Sequence, residues 1–254
     1  MTVGADELQP DGEPGSATTV EWLFEKYNTY TRRPALTNEA VRTAIFKSFA
    51  RTIGPWLPSR RSANILEVGC GEGALLLFLR GAGYESLNAF DISPENVEIC
   101  HGFGLAFVRQ FDAVQLRAFE PGVSYDAVFA LDILEHLSKQ VWVDFLRRIR
   151  ERLRPGGSVV IQTPNMGCVF GHYHRFNDLS HEFCLTEGSA LTLMMAAGFD
   201  FADIDIQPAW NATTFLGRLR EQYLKLLHGM VFLAEDSSRP RIPTKNLLIR
   251  GTKS

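Results

Sequence analysis

The segment LDILEH, residues 131–136, puts Asp132, Glu135 and His136 into six positions directly after the apolar run AVFA. Two carboxylates and an imidazole are costly at the end of a buried strand unless something offsets their charge. Further along, TPNMGCVFGHYHRFNDLSHEFCLT holds His172, His174 and His181, three of the six histidines in the chain. This connection is long and rich in histidine, as expected of a substrate-site loop. If the two segments meet, Asp132, Glu135, His136 and His181 offer two carboxylates and two imidazoles to one point. Such a set suits a divalent cation that keeps open positions for substrate oxygens. The chemistry would be activation of an alcohol, whose pKa a bound cation lowers while orienting a vicinal diol. A histidine outside the ligand set, His174 or His181, can then take the proton. Without a metal, His136 or His181 serves as the base alone. The plainest alternative is that His136 only holds its loop by hydrogen bonds.

The elements that must position these groups alternate along the chain. Apolar residues spaced three and four apart predict helices within residues 20–49, interrupted by NTYTRRPAL as a loop. NILEVG reads as a first strand and ALLLFLRGAG as a helix stopped by Gly81 and Gly83. SLNAFDIS, LAFVRQFDA, YDAVFALD and SVVIQTPN read as strands two to five. PENVEICHGFG is a helix with Pro94 in its first turn, and SKQVWVDFLRRIRERLRPGG is a long helix with Ser138 as cap. A helix over TEGSALTLMMAAGF, a strand over DFADIDIQP, a helix over 213–234 and a last strand over KNLLIRGT complete the series. Alternation of this kind predicts an α/β fold with a doubly wound, mostly parallel sheet. In that sheet strands four and five are neighbours, so LDILEH and the histidine loop face each other.

ILEVGCGEGALL carries the most specific pattern. Gly69, Gly71 and Gly73 follow the first strand and open the first helix of the sheet, allowing a tight turn beneath a ligand. A dinucleotide site prefers GxGxxG, whereas this loop is GxGxG with Glu67 just before it. A carboxylate there repels a pyrophosphate and attracts a cation, which favours a zwitterionic cofactor bearing a sulfonium and an ammonium. Asp91 ends the second strand, where it can accept from ribose hydroxyls. Asp112 ends the third, next to small Ala113, where it can accept from an adenine amine.

ILEVGCGEG, FDIS, QFDA, YDAVFALDILEHL and LRPGGSVVIQTPN together resemble the successive motifs of class I S-adenosylmethionine-dependent methyltransferases, over residues 63–208. The resemblance implies a seven-stranded Rossmann-like sheet with the last strand antiparallel. It implies that Glu67, Gly69 and Gly71 line the methionine end of the cofactor and Asp91, with Ile92 beside it, the ribose. Asp112 and Ala113 would line the adenine, with Ala130 and Leu131 beneath the sulfonium and the N-terminal helices and NTYTRRP over the top. The LDILEH segment and His181 resemble the metal centre of small-RNA 2′-O-methyltransferases and ubiquinone-pathway O-methyltransferases, with Asp132 where that pattern has Glu. TPN, RFNDLSHEF and the following helix are similar to bacterial carbohydrate O-methyltransferases.

The remaining expectations concern organisation and partners. Residues 1–18 read as a disordered lead-in, 19–60 as a helical cap and 61–254 as the methyltransferase domain with a C-terminal helical insertion. A net charge of -3 gives no global pull toward nucleic acid or anionic membrane. No apolar run is long enough to span a bilayer, and the four cysteines show no CxxC pair, so a cytoplasmic protein is expected. FLGRLREQYLKLLHGMVFLAE is amphipathic and suits either an acceptor wall or a dimer face, which leaves a homodimer open. The expected function is methyl transfer from S-adenosylmethionine to a sugar hydroxyl of a saccharide, polysaccharide or glycolipid, aided by Mg²⁺ or a similar cation. The second reading is metal-independent transfer to a lipid, quinone or secondary metabolite. A nucleic-acid partner is not expected, because an RNA enzyme would share the metal pattern but no basic groove is evident.

Overall fold

The computed structural model describes residues 19–31 and 36–254. At its centre lies a seven-stranded sheet in the order β3-β2-β1-β4-β5-β7-β6. The strands are β1 (Ile65–Val68), β2 (Leu87–Asp91), β3 (Arg109–Gln110), β4 (Tyr125–Leu131), β5 (Leu153–Pro164), β6 (Ile204–Pro208) and β7 (Asn246–Thr252). The pairs among β1 to β5 are parallel, whereas β7 runs antiparallel to both β5 and β6. The expected fold class and its reversed last strand are therefore observed. β1 is buried at every position, as a central parallel strand covered on both faces must be.

The helices among the described residues are α1 (Thr19–Glu25), α2 (Tyr27–Thr31), α3 (Glu39–Thr52), α4 (Ala74–Gly81), α5 (Pro94–Gly102), α6 (Trp142–Arg152), α7 (Gly171–Phe176), α8 (Glu187–Ala196) and α9 (Phe215–Ala234). One core layer packs Trp142, Phe145, Leu146 and Ile149 of α6 against Val128 and Val159 of the sheet. The other packs Leu75, Leu76 and Leu79 of α4 against Ile65 and Ala89. The apolar stripe expected for α6 is thus the buried one. Its start differs: Ser138 makes no side-chain cap, and a 3₁₀ turn, Lys139–Val141, leads into Trp142 instead.

Two further expectations are corrected. The third strand is only two residues long, because β3 is an edge strand paired to β2 alone and Asp112 caps a 3₁₀ helix over Ala113–Ala118. Part of NTYTRRPAL is helical, not loop. Its Asn28 and Thr29 amides, at the start of α2, donate to the Glu95 carboxylate at 2.9 and 3.3 Å, so an acid from α5 satisfies the orphan donors of a five-residue helix. The rest of that segment, residues 32–35, and the lead-in, residues 1–18, lie outside the described residues. Among the described residues no helix is long and apolar enough to cross a membrane.

Candidate active site

Two cavities open at the carboxyl ends of the strands, where ligands of such sheets bind. The larger, about 960 Å³, is lined by Glu67, Gly69, Gly71, Asp91, Ile92, Asp112, Ala113 and Leu131, with Phe24 and Tyr27 from the N-terminal helices across it. Of the residues expected around the cofactor, only Ala130 is elsewhere: strand alternation turns it into the core beside Val128. Glu67, Glu72, Asp91, Asp112, Asp132 and Glu182 surround this space, and among the described residues no lysine or arginine does.

The glycine loop is built for close approach. Gly69, Gly71 and Gly73 all have positive φ, and the Gly71 amide donates to Asp91 at 2.8 Å. The other Asp91 oxygen accepts from the Ser93 amide and from Asn96 Nδ2, so the carboxylate is held at the strand tip. A Cβ on Gly69, at φ +67°, would stand 2.5 Å from Ile133 Cδ1. LDILEH thus packs directly under the glycine loop. Gly69→Ala is expected to cost about 1–2 kcal/mol in backbone strain before Ile133 moves. Its donor affinity, followed by calorimetry, should fall at least tenfold.

Glu67 is 3% exposed, and its Oε2 has no hydrogen-bond partner. Burial pushes its carboxyl well above the usual range, helped by the neighbouring Cys100 and Asp91. A buried acid of this kind on the wall of a cavity fits a cationic ligand group. The donor end of S-adenosylmethionine, with its ammonium and sulfonium, matches it.

The second cavity, about 460 Å³, shares Tyr27, Asp132 and His136 with the first and adds Tyr30, Glu135, His174, His181 and Lys245. The two spaces therefore meet at the residues that opened the argument. Glu135, His136 and His181 bring one ligand atom each within 4.8 Å of one another. Asp132 stands apart from that set: it adopts a left-handed φ of +53° and accepts from Gln162 Nε2 at 2.8 Å. The expected four-residue metal set is thereby three among the described residues. Two imidazoles and one carboxylate also match Mg²⁺ poorly, since it prefers oxygen ligands and retained waters.

Hydrogen-bond polarity settles how these histidines are held. Ser180 Oγ gives its one proton to Asp178 at 2.5 Å, so it must accept from His136 Nδ1 at 2.8 Å. His181 Nδ1 faces the His174 carbonyl at 3.1 Å and must donate to it. Both rings consequently carry a proton on Nδ1. Glu135, 1% exposed, accepts from Thr163 Oγ1 at 3.1 Å. Asp178 also accepts from the Tyr27 hydroxyl at 3.0 Å. Burial opposes its ionisation, yet the Ser180 hydroxyl and amide, His136 and Tyr27 together hold the carboxyl below the usual range. His174 is shifted down by burial and by Lys245.

Ser180, Thr163 and Tyr27 had no signal in the sequence as parts of the site. Arg175 donates to the Glu182 carbonyl and Asp178 serves His136 through Ser180.

The pattern that defines the methyltransferase domain matches residues 38–215. The chain belongs to this family of S-adenosylmethionine-dependent methyltransferases. Solved structures agree in fold. A SAM-dependent methyltransferase from Archaeoglobus fulgidus aligns with TM-score 0.64 at 17% identity, covering 89% of this chain and 98% of that one. Magnesium protoporphyrin IX methyltransferase from Synechocystis PCC 6803 aligns with TM-score 0.56 at 14% identity, covering 92% and 98%.

Among curated proteins, the tRNA U34 carboxymethyltransferase of Shewanella sp. (strain ANA-3) is 25% identical over 171 residues, 60% of this chain and 48% of that protein. The protein of the same name from Pseudoalteromonas translucida (strain TAC 125) is 27% identical over 114 residues, 43% and 34%. The chain thus spans half or less of the length of these relatives. Their names correct the expected acceptor, since they speak for tRNA and not for a saccharide, and a lipid, quinone or secondary metabolite fits no better. The expectation of no nucleic-acid partner falls with it. It rested on net charge and on the lack of an evident basic groove in the sequence, and neither tells how side chains distant in the chain gather around one cleft.

Proposed function

We propose that this protein transfers the methyl group of S-adenosylmethionine to a hydroxyl of an RNA nucleoside, with tRNA as the first substrate to test. The reading draws its acceptor class from the curated relatives and its chemistry from the two joined cavities. A nucleoside taken out of its stack needs an aromatic-walled pocket. Tyr27, Tyr30, His136 and His174 line the smaller cavity, and Lys245 stands at its wall as a partner for phosphate.

The single observation that carries the donor assignment is the acid lining of the larger cavity, with Glu67 buried in it. That lining favours a plain methyl donor over the carboxymethyl donor implied by the relatives' name, because among the described residues a carboxylate beside the sulfonium would meet Asp132 and no lysine or arginine. His136 Nε2, held by Ser180 and Asp178, is oriented to take the proton of an attacking hydroxyl at the junction of the cavities. Most of the remaining acceleration is positioning of the two reactants.

In place of that base role, Glu135, His136 and His181 fit a divalent ion of borderline softness such as Zn²⁺, with the Nδ1 hydrogen bonds and Thr163 as orienting partners. Such an ion would lower the pKa of a bound hydroxyl. Methyl-labelled donor should deposit label in bulk bacterial tRNA, and nucleoside digestion should show a methyl rather than a carboxymethyl increment. His136→Ala should lower that labelling at least a hundredfold and keep donor binding. Label that never enters RNA would sink the acceptor, and metal analysis showing equal ion content in wild type and His136→Ala would sink the cation site.

A further inference from the structure

Helix α9 lies between β6 and β7 and contributes no residue to either cavity. Its attachment to the body is polar. Glu221 receives both Arg51 guanidinium nitrogens at 2.9 and 2.8 Å, and His228 Nε2 faces the Gly167 carbonyl at 3.2 Å. Both residues are buried, and they lie about two turns apart on the inner face of the helix. The opposite face is apolar: Leu216, Leu219, Tyr223, Leu226, Met230 and Leu233 are between 49% and 81% exposed among the described residues. Their spacing alternates strictly between three and four, the seam of a coiled coil rather than the broader stripe of a helix packed on a sheet.

We infer that α9 is the interface of an antiparallel, two-fold dimer of this chain. The seam is self-complementary about a point between Leu224 and Lys225. Run antiparallel, Leu216 meets Leu233 of the second copy, Leu219 meets Met230 and Tyr223 meets Leu226, and each layer recurs by symmetry. Charge selects the same direction. Arg218 and Arg220 are exposed near the start of the helix, and Glu235 and Asp236 just past its end. Antiparallel packing carries each base toward the acids of the other copy, whereas parallel packing sets like charges side by side. The helix has 20 residues and is about 30 Å long. With Phe215, the seam offers seven side chains at roughly 100 Å² each. Burying them approaches the ~800 Å² per partner of a standard interface.

Sedimentation of the full chain at micromolar concentration should give a dimer. Tyr223→Glu with Leu226→Glu should weaken association by about a hundredfold or more while circular dichroism and donor binding stay unchanged. Arg218→Glu with Arg220→Glu should weaken it about tenfold at low salt, and adding Glu235→Arg with Asp236→Arg should restore it. The last pair of variants keeps the inference testable if charges in the seam disturb folding. A monomeric wild type, or a dimer indifferent to the seam charges, overturns the interface. Failure of the charge swap to restore association overturns the antiparallel arrangement. A monomer that instead sediments with anionic phospholipid vesicles assigns the stripe to a membrane surface and overturns the dimer.

Discussion

Glu67→Gln is expected to bind S-adenosylmethionine about two orders of magnitude more weakly and yet to melt several degrees above wild type. The two effects share one cause. Without a ligand, Glu67 is a carboxyl 3% exposed, with Oε2 unpartnered and Asp91 and Cys100 adding unfavourable field. A neutral amide relieves that cost, and each kcal/mol recovered is worth a few degrees in a domain of this size. The donor, by contrast, loses an ion pair in a desolvated wall, typically 2–5 kcal/mol on truncation. The pH dependence follows with a definite sign. The folded pKa is raised above the ordinary carboxyl value, so the folded protein holds a proton that the unfolded chain has released. Stability of the ligand-free wild type should therefore fall as pH rises from the ordinary range through the folded pKa, then level off. Glu67→Gln should lack that part of the slope. Donor binding favours the ionised form, so wild-type affinity should climb over the same window with proton release, measurable by calorimetry in two buffers. Equal melting temperatures and equal affinities in the two proteins would refute the role.

Asp91→Ala should abolish donor binding at millimolar concentration, a loss of about a thousandfold, with a smaller loss of stability. The carboxylate holds Gly71, Ser93 and Asn96 at 2.8, 2.9 and 3.0 Å, so it shapes the loop and the strand tip at once. Its removal leaves buried amides unsatisfied, at about 1–3 kcal/mol each, and lets the glycine loop relax from its positive-φ path. Asp91→Asn separates the two functions. The amide oxygen can still accept on one side while the other now donates, so stability should recover more than affinity. Comparable losses of both in Asn and Ala variants would show that loop shape alone sets binding.

The donor half of the site was legible because its logic is local. Glycines that need positive φ sit beside one another, and Glu67, Asp91 and Asp112 each end or leave a predicted strand. The acceptor half was legible only as a neighbourhood. LDILEH and the histidine loop do meet, but which atoms converge depends on contacts across the chain. Tyr27 reaches Asp178 over 151 residues, and Ser180 acquires its role from His136 over 44. Asp132 lies outside the three-residue cluster and adopts a left-handed backbone angle that no residue pattern announces. The short β3 arose from its edge position, where nothing pairs on the far side to extend it. The acceptor class was misjudged because three glycines and a histidine-rich loop specify a reaction geometry, while the molecule that brings the hydroxyl is chosen by surface shape.

The short helix α2 has one seam on each wall of the cleft. Glu95 of the donor side accepts from its Asn28 and Thr29 amides, and Asp178 of the acceptor side accepts from Tyr27. A strap fastened to both walls cannot swing free of either one alone. Exchange of spent donor therefore requires the acceptor wall to let go as well, and an occupied acceptor pocket would keep the strap buckled. Trapped donor in the presence of acceptor, with release quickened by Tyr27→Phe, is the kinetic signature of that arrangement.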